Sequence, residues 1–439
     1  MKKIFNFILV GCGPHYQKHY HPLLEEKGLN MALLIDLKSR KDEIGGFFEG
    51  KKLKPKSSIY LDDSMRDSRD LSPIIESAVD PKEIDGILLC TEPKARYAYI
   101  MWAIENQIPL YMDKPISAFL DLESSDTIKK DFEEITTALK EHPTNIVVSC
   151  QRRMHAGYQW IFSHIQRFME KYHVPITSID IQFSGGIWNL PEEYLERESH
   201  PFKYGYGILL HSGYHYLDLL TSLLKLNAPF HKETPKKEYQ LLKREPYEQT
   251  HTLGKESLSH LLRSKQDLDE KALLPLKDHG ETDLFITGRE TCSSKFSTLF
   301  SLRLIGTSLS SRSPKKSLLK LDGKLRQETV TIHLGTLCSV HITSLPFNKI
   351  DPKGHPIENF DITIMTSPIL DGEKTIIRLG REDFFPPDSS LNREGRKRQL
   401  LSFLEGGDGA SPISSHGDNI KMLDSIYALI KKDLSPSFA

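Results

Sequence analysis

Six apolar runs punctuate the first 150 residues: "IFNFILV" (4–10), "MALLID" (31–36), "SSIYL" (57–61), "IDGILLC" (84–90), "IPLYM" (108–112) and "NIVVSC" (145–150). Most are nearly unbroken, as strands covered on both faces must be. Helical periodicity fills the gaps, clearest at 94–106 and 122–141, and no hairpin signal joins any two runs. Strand and helix in alternation predict an α/β domain over 1–150, a doubly wound parallel sheet.

After Gln151 the pattern changes. A helix at 155–171 leads into "SIDIQFSGGIW", which alternates like a half-buried strand, and an apolar helix follows at 209–224. Residues 228–280 are highly charged and poor in strand formers, and read as an insertion of exposed helix and loop. Alternation returns in "TDLFITG", "STLFSLRLIG", "QETVTIHLGTLCSVHIT", "FDITIMT" and "KTIIRLG", the mark of a mostly antiparallel sheet with one open face. The basic stretch 310–320 reads as a solvated turn, and helices at 396–404 and 419–432 close the chain. The second domain, 151–439, is therefore α+β.

Length agrees with two domains, since 439 residues exceed one ordinary core. The 58 basic and 59 acidic side chains nearly cancel and are interspersed, which argues against a nucleic-acid partner. No apolar run is long enough for a membrane span. Five scattered cysteines without a CxxC pair suit a reducing, cytoplasmic setting.

The start of the chain, "MKKIFNFILVGCGPHYQ", carries two meanings. It has the layout of a lipoprotein signal with Cys12 as the lipidated residue, but its apolar run is short and interrupted by Asn6, and cleavage there would remove a strand. The other meaning is a first strand ending in a Gly11-Cys12-Gly13 turn, whose backbone can approach a pyrophosphate. Asp36, at the end of the second strand, is placed to accept hydrogen bonds from an adenosine ribose. Lys38 and Arg40 could hold a 2′-phosphate, so the cofactor is NAD or NADP, with the Asp36 carboxylate favouring NAD.

Two further groups bear chemistry. Thr91 and Pro93 follow the fourth strand, and Asp113-Lys114-Pro115 follows the fifth, so all lie at the carboxyl edge where a dinucleotide binds. Lys114 there would lie near a nicotinamide. In "YGYGILLHSGYHYLDLL", His211, His215, Asp218 and Ser222 fall at spacings of four, three and four on an otherwise apolar helix. Such a stripe faces a cleft or is satisfied internally. An imidazole there suits proton transfer near neutral pH. Two histidines at i, i+4 with a carboxylate are also a zinc pattern, but no further ligand cluster accompanies them.

Taken together, the G-x-G turn followed by His19, Thr91/Pro93, Asp113-Lys114-Pro115, the Arg152–Arg153 pair and the His215-x-x-Asp218 helix resemble the glucose–fructose oxidoreductase, inositol dehydrogenase and rhizopine-catabolism (Gfo/Idh/MocA) family over residues 4–225. The resemblance implies an NAD(P)-dependent oxidoreductase acting on a secondary hydroxyl of a sugar, cyclitol or polyol, with a homo-oligomer paired through the open sheet face. It implies Lys114 and His215 as catalytic residues, Arg153, His211 and Asp218 on the substrate, and Gly11, Cys12, Gly13, Asp36, Arg40, Thr91, Pro93 and Asp113 on the cofactor. Four positions depart from the family pattern: Tyr16 for a third glycine, His211 for aspartate, Asp113 for glutamate, and Arg96 or Tyr97 for a histidine after Thr-Pro. His211 and the charged stretch 228–280 keep open a second class of function, a dinucleotide-binding sensor or partner-binding protein without turnover.

Overall fold

The computed structural model describes residues 4–197, 201–262, 269–292, 296–309, 325–344, 349–350, 356–386 and 389–434. The basic stretch 310–320 lies outside them. The chain divides into two compact units, Met1–Met154 with Asn392–Asp424, and His155–Leu391 with Ser425–Ala439.

The first unit is built on six parallel strands in the order β3-β2-β1-β4-β5-β6. These are β1 (Asn6–Val10), β2 (Asn30–Leu37), β3 (Ser57–Leu61), β4 (Gly86–Leu89), β5 (Leu110–Asp113) and β6 (Ile146–Ser149). Crossovers run through α1 (Pro14–His19), α2 (His21–Glu26), α3 (Lys41–Phe48), α4 (Ser72–Glu76), α5 (Tyr97–Glu105) and α6 (Thr127–Glu141). The strand order reverses direction between β1 and β4, the switch point at which such sheets open a crevice at their carboxyl ends. Phe7, Leu9, Leu34, Leu88, Tyr111 and Val147 build the core. Leu400 and Phe403 join it from the returning segment. Tyr16, where a third glycine was expected, is fully buried in the same cluster, its ring edge-on to His21. The tyrosine fills the space between helix and sheet that a glycine would have let close.

The second unit carries α7 (Ala156–Tyr172), α8 (Pro191–Glu196) and α9 (Tyr214–Lys225), the last preceded by a π-turn at Leu209–Gly213. Its eight-stranded sheet comprises β7 (Ser178–Trp188), β8 (Lys236–Arg244), β9 (Asp283–Cys292), β10 (Phe296–Leu309), β11 (Gln327–Leu334), β12 (Cys338–Ser344), β15 (Phe360–Thr366) and β16 (Ile376–Leu379). The order is β16-β15-β12-β11-β7-β10-β9-β8, with every pair antiparallel except β7 with β10. A small ribbon, β13 (Lys349–Ile350) with β14 (Pro356–Ile357), lies apart from that sheet. On β11 and β12 every second residue is buried, Val330, Ile332 and Leu334 against Val340 and Ile342, while threonine, serine and histidine alternate on the open face.

The charged stretch 228–280 differs from its expected helix and loop. Its first part is the edge strand β8, "KKEYQLLKR", joined to β9, with Arg289 donating to Glu238 across the pair at 2.8 and 3.2 Å. An edge strand with one wet face tolerates a lysine- and glutamate-rich sequence and is protected by it. That composition hides it from a search for strand formers. Two helices follow, α10 (Pro246–Leu262), broken at Gly254, and α11 (Glu270–Leu273). The chain ends in α12 (Leu391–Leu404) and α13 (Gly417–Leu434).

Candidate cofactor and proton-transfer residues

The glycine turn sits where β1 ends. Gly11 has φ +87°, and a Cβ on it would lie 2.8 Å from the Thr91 nitrogen and 2.9 Å from the Cys90 carbonyl. The turn thus passes directly over the exit of β4, an approach only glycine permits. Gly13 is different. Its φ is −76°, and a Cβ there would meet nothing within 4 Å. One glycine makes the turn, and the other leaves open space beside it. That combination fits a pyrophosphate lying along the backbone.

Asp36 lies under this turn with its carboxylate already engaged. Its oxygens accept the Cys12 N–H at 2.7 Å and the Leu37 N–H at 2.8 Å, and the Arg40 guanidinium sits at 3.1 and 3.2 Å. Arg40 also donates to the Cys12 carbonyl at 3.2 Å and to Glu43 at 3.0 Å. Asp36 therefore braces the turn and neutralises Arg40. The side chain expected to read a ribose is occupied by the one expected to read a phosphate. Lys38, the other basic candidate, pairs with Asp62 at 3.4 Å.

At the neighbouring strand exit, Asp113 closes β5. Its carboxylate accepts the Tyr20 hydroxyl at 2.6 Å and lies 3.4 Å from His15 Nε2. Burial alone would raise the Asp113 carboxyl; His15, the Tyr20 hydroxyl and Arg396 outweigh it and hold it well below the usual carboxylate range. Lys114 follows. Burial pushes its ammonium down to about 8 against the opposing pull of Asp113 and Cys150, and the cations Arg96 and Arg396 add to the fall. A lysine so placed changes protonation state near neutral pH, as a proton-transfer group must. Burial, then Arg396, likewise pushes His19 down to about 4. Arg153 donates to Ser415 Oγ at 2.5 Å and to the Ala410 carbonyl at 3.4 Å, within the first unit.

In the second unit the polar helix is held at its N-terminal end, by the π-turn and by Tyr216 in its first turn. The π-turn carries His211, whose Nε2 lies 3.1 Å from the Tyr206 carbonyl and whose ring centroid is 5.1 Å from that of Phe202. The Leu209 N–H, at the start of that turn, donates to Glu281 at 3.0 Å, and burial raises the Glu281 carboxyl to about 7. His215 is half-buried and Asp218 fully buried. Between them, Tyr216 stacks on Phe183 and donates to Glu328 at 2.7 Å, and Glu328 also accepts the Tyr158 hydroxyl. A single buried carboxylate thus ties α9 to α7 across β11. Removing it in Glu328→Ala takes away the acceptor of two buried phenols, and the expected loss is about 3 kcal/mol of unfolding free energy, with Glu328→Gln closer to wild type. Urea unfolding followed by circular dichroism checks this.

Sequence reasoning singled out neither Glu281 nor Glu328, and assigned no role to Arg96. Each acts on a backbone group or phenol far along the chain or around a turn, so no local spacing marks it.

No family model matches the sequence, and no curated protein matches it. Solved structures do. The chain is similar to a myo-inositol dehydrogenase from Corynebacterium glutamicum (13% identity, TM-score 0.52, covering 98% of this chain and 96% of that one). It is similar to a Gfo/Idh/MocA family oxidoreductase from Vibrio cholerae (11%, 0.53, 98% and 100%). A third is an oxidoreductase from Agrobacterium radiobacter in complex with NAD+, L-tartaric acid and magnesium (10%, 0.54, 97% and 96%). The chain has their fold. Coverage of nearly both whole chains extends the likeness past residue 225, where the sequence motifs stop. Among the described residues, no helix is long and apolar enough to cross a membrane.

Proposed function

We propose that the protein is an NAD(P)-dependent oxidoreductase that moves a hydride between the cofactor and a secondary hydroxyl or carbonyl of a sugar, cyclitol or polyol. The observation that carries this reading is Lys114, a half-buried lysine lowered to about 8, on the strand exit next to a loop that only glycine lets approach the first turn. The fold shared with known dehydrogenases supports it, and the substrate class follows the family resemblance.

In this reading Gly11, Cys12, Gly13, Thr91, Pro93 and Asp113 hold the dinucleotide through backbone approach and the strand edge. A bound nicotinamide would supply the hydride acceptor. His215 takes the hydroxyl proton, and Lys114 holds the developing oxygen or relays that proton onward. Arg153, His211 and Asp218 are the residues assigned to line or orient the substrate pocket. The reading includes a homo-oligomer paired through the open face of the eight-stranded sheet.

The test is a screen of polyols, cyclitols and sugar acids with NAD and NADP, following absorbance of the reduced cofactor. Turnover on one class supports the reading. Tight cofactor binding with no turnover on any class makes the protein a sensor instead, and no stabilisation by either cofactor in a thermal-shift assay sinks both ideas.

The engaged state of Asp36 yields a sharper expectation. For its carboxylate to take a ribose diol, Arg40 must let go; for Arg40 to take a 2′-phosphate, Asp36 must. Arg40→Ala should therefore raise the NAD-to-NADP affinity ratio about tenfold, and Asp36→Asn should lower it by a similar factor. Isothermal titration calorimetry with the two cofactors reads both ratios directly. Unchanged ratios in both variants would remove the pair from cofactor choice.

A further inference from the structure

Arg96 or Tyr97 stands where the family pattern has a histidine, and in the structure Arg96 is 4% exposed. Its Nε and Nη2 donate to the Thr91 carbonyl at 3.1 and 2.9 Å. Its Nη1 donates to the carbonyls of Asp113 and Pro115, the residues on either side of Lys114. One guanidinium thus fastens the loop after β4 to the loop after β5, and the first of these is the loop against which Gly11 is pressed. Three segments are locked in series: the glycine turn, the Thr91 loop and the Lys114 loop.

The geometry points to Arg96 as the positioning residue of Lys114, fixing the peptide group before the lysine and the one after Pro115 and so setting where its ammonium lies. Only a planar fork of donors can serve three carbonyls in two directions; an ammonium at the end of a flexible stem cannot. The guanidinium also places a second buried cation beside the lysine. The groups facing Lys114 are Asp113 and Cys150, which favour its charged form, and Arg96 and Arg396, which oppose it. Asp113 is in turn faced by His15, Tyr20 and Arg396. Loss of Arg96 removes one opposing cation and loosens the loop toward water, and both changes favour the charged lysine.

The functional meaning of this assignment rests on the reading of Lys114 as a proton-transfer group, but its test does not. The full-length protein is labelled by 13C reductive methylation, and the Lys114 signal, assigned by its absence in Lys114→Arg, is titrated. In Arg96→Met the midpoint should rise by roughly one pH unit. In Arg96→Lys, which keeps a cation but loses the fork, the chemical shift of the Lys114 signal should move, and Lys114 should become more reactive toward an acylating reagent. Folding is checked by circular dichroism. If Arg96→Met does not fold, Arg96→Lys decides the matter alone. A folded variant with the wild-type Lys114 shift, titration and reactivity, whatever its melting temperature, reduces Arg96 to a structural staple and overturns the assignment. A polyol screen without turnover, with Lys114 still shifted in the Arg96 variants, would overturn the proposed reaction and leave the positioning role standing.

Discussion

Replacing Lys114 by methionine should lower turnover by about 10²- to 10⁴-fold, the range for a lost proton-transfer group, while leaving the fold and the affinity for the dinucleotide close to wild type. The same lysine should govern the pH profile. With its ammonium brought down from 10.5 to about 8, Lys114 is mostly protonated at pH 7 and mostly neutral at pH 9. As a relay in the oxidative direction it works in the neutral form, so the oxidation rate should climb through pH 8 and level off above it. In Lys114→Met that limb should vanish from whatever rate remains. Stability carries the same signature. A lysine whose folded value is depressed is bound by a proton more readily when unfolded, so between about 8 and 10.5 the unfolded chain holds more protons and unfolding free energy rises with pH. Stability from this group is smallest below pH 8 and gained as pH climbs to 10.5. Urea midpoints compared at pH 7.5 and 10 should show that slope in the wild type and a reduced one in Lys114→Met. A rate profile flat through pH 8, with Lys114→Met fully active, would remove the lysine from the chemistry.

The second large effect separates the two glycines of the turn. Gly11→Ala should cost about 3 kcal/mol or more of stability, because it combines a positive φ with a Cβ inside van der Waals contact of backbone. The atoms in the way are the Thr91 nitrogen and the Cys90 carbonyl group, at 2.8 and 2.9 Å. Backbone at a strand exit cannot rotate aside as a side chain does. Gly13→Ala should leave stability nearly unchanged, since its φ of −76° suits any residue and its Cβ meets only space. If that space receives the pyrophosphate, Gly13→Ala loses cofactor affinity by tenfold or more at wild-type melting temperature. Thermal melts and calorimetric titration with NAD(P) distinguish the two. A Gly13→Ala protein that binds as well as wild type would place the cofactor elsewhere.

The strands of the first unit fall within two residues of where the apolar runs set them. β3 matches at both ends, and β1 loses only Ile4 and Phe5 from its run. Strands buried on both faces show an unbroken apolar signature that needs no partner to be read. The glycine turn and the strand-end Asp113-Lys114-Pro115 were legible for a related reason, since each follows directly on such a run; the helix bearing His215 and Asp218 was legible from its own apolar pattern. β8 was not. Its "KKEYQLLKR" sequence becomes a strand only because β9 offers an edge to pair with. The π-turn at Leu209–Gly213 was equally hidden, because one widened turn shifts a helical pattern too little to alter its period.

What the sequence determined by itself is the fold class, the first sheet and the positions of the chemically capable residues, because burial and backbone sterics act on neighbours along the chain; the grouping of Asn392–Asp424 with the first unit, not with 151–391, came from tertiary structure. Tertiary structure alone decided how those residues are used. It set Arg40 on Asp36, Arg96 on the carbonyls around Lys114, Glu328 on two tyrosines and Tyr16 into the core. A charge or a donor finds its partner through space, often a backbone carbonyl that every residue carries, and such a partner leaves no mark in the sequence.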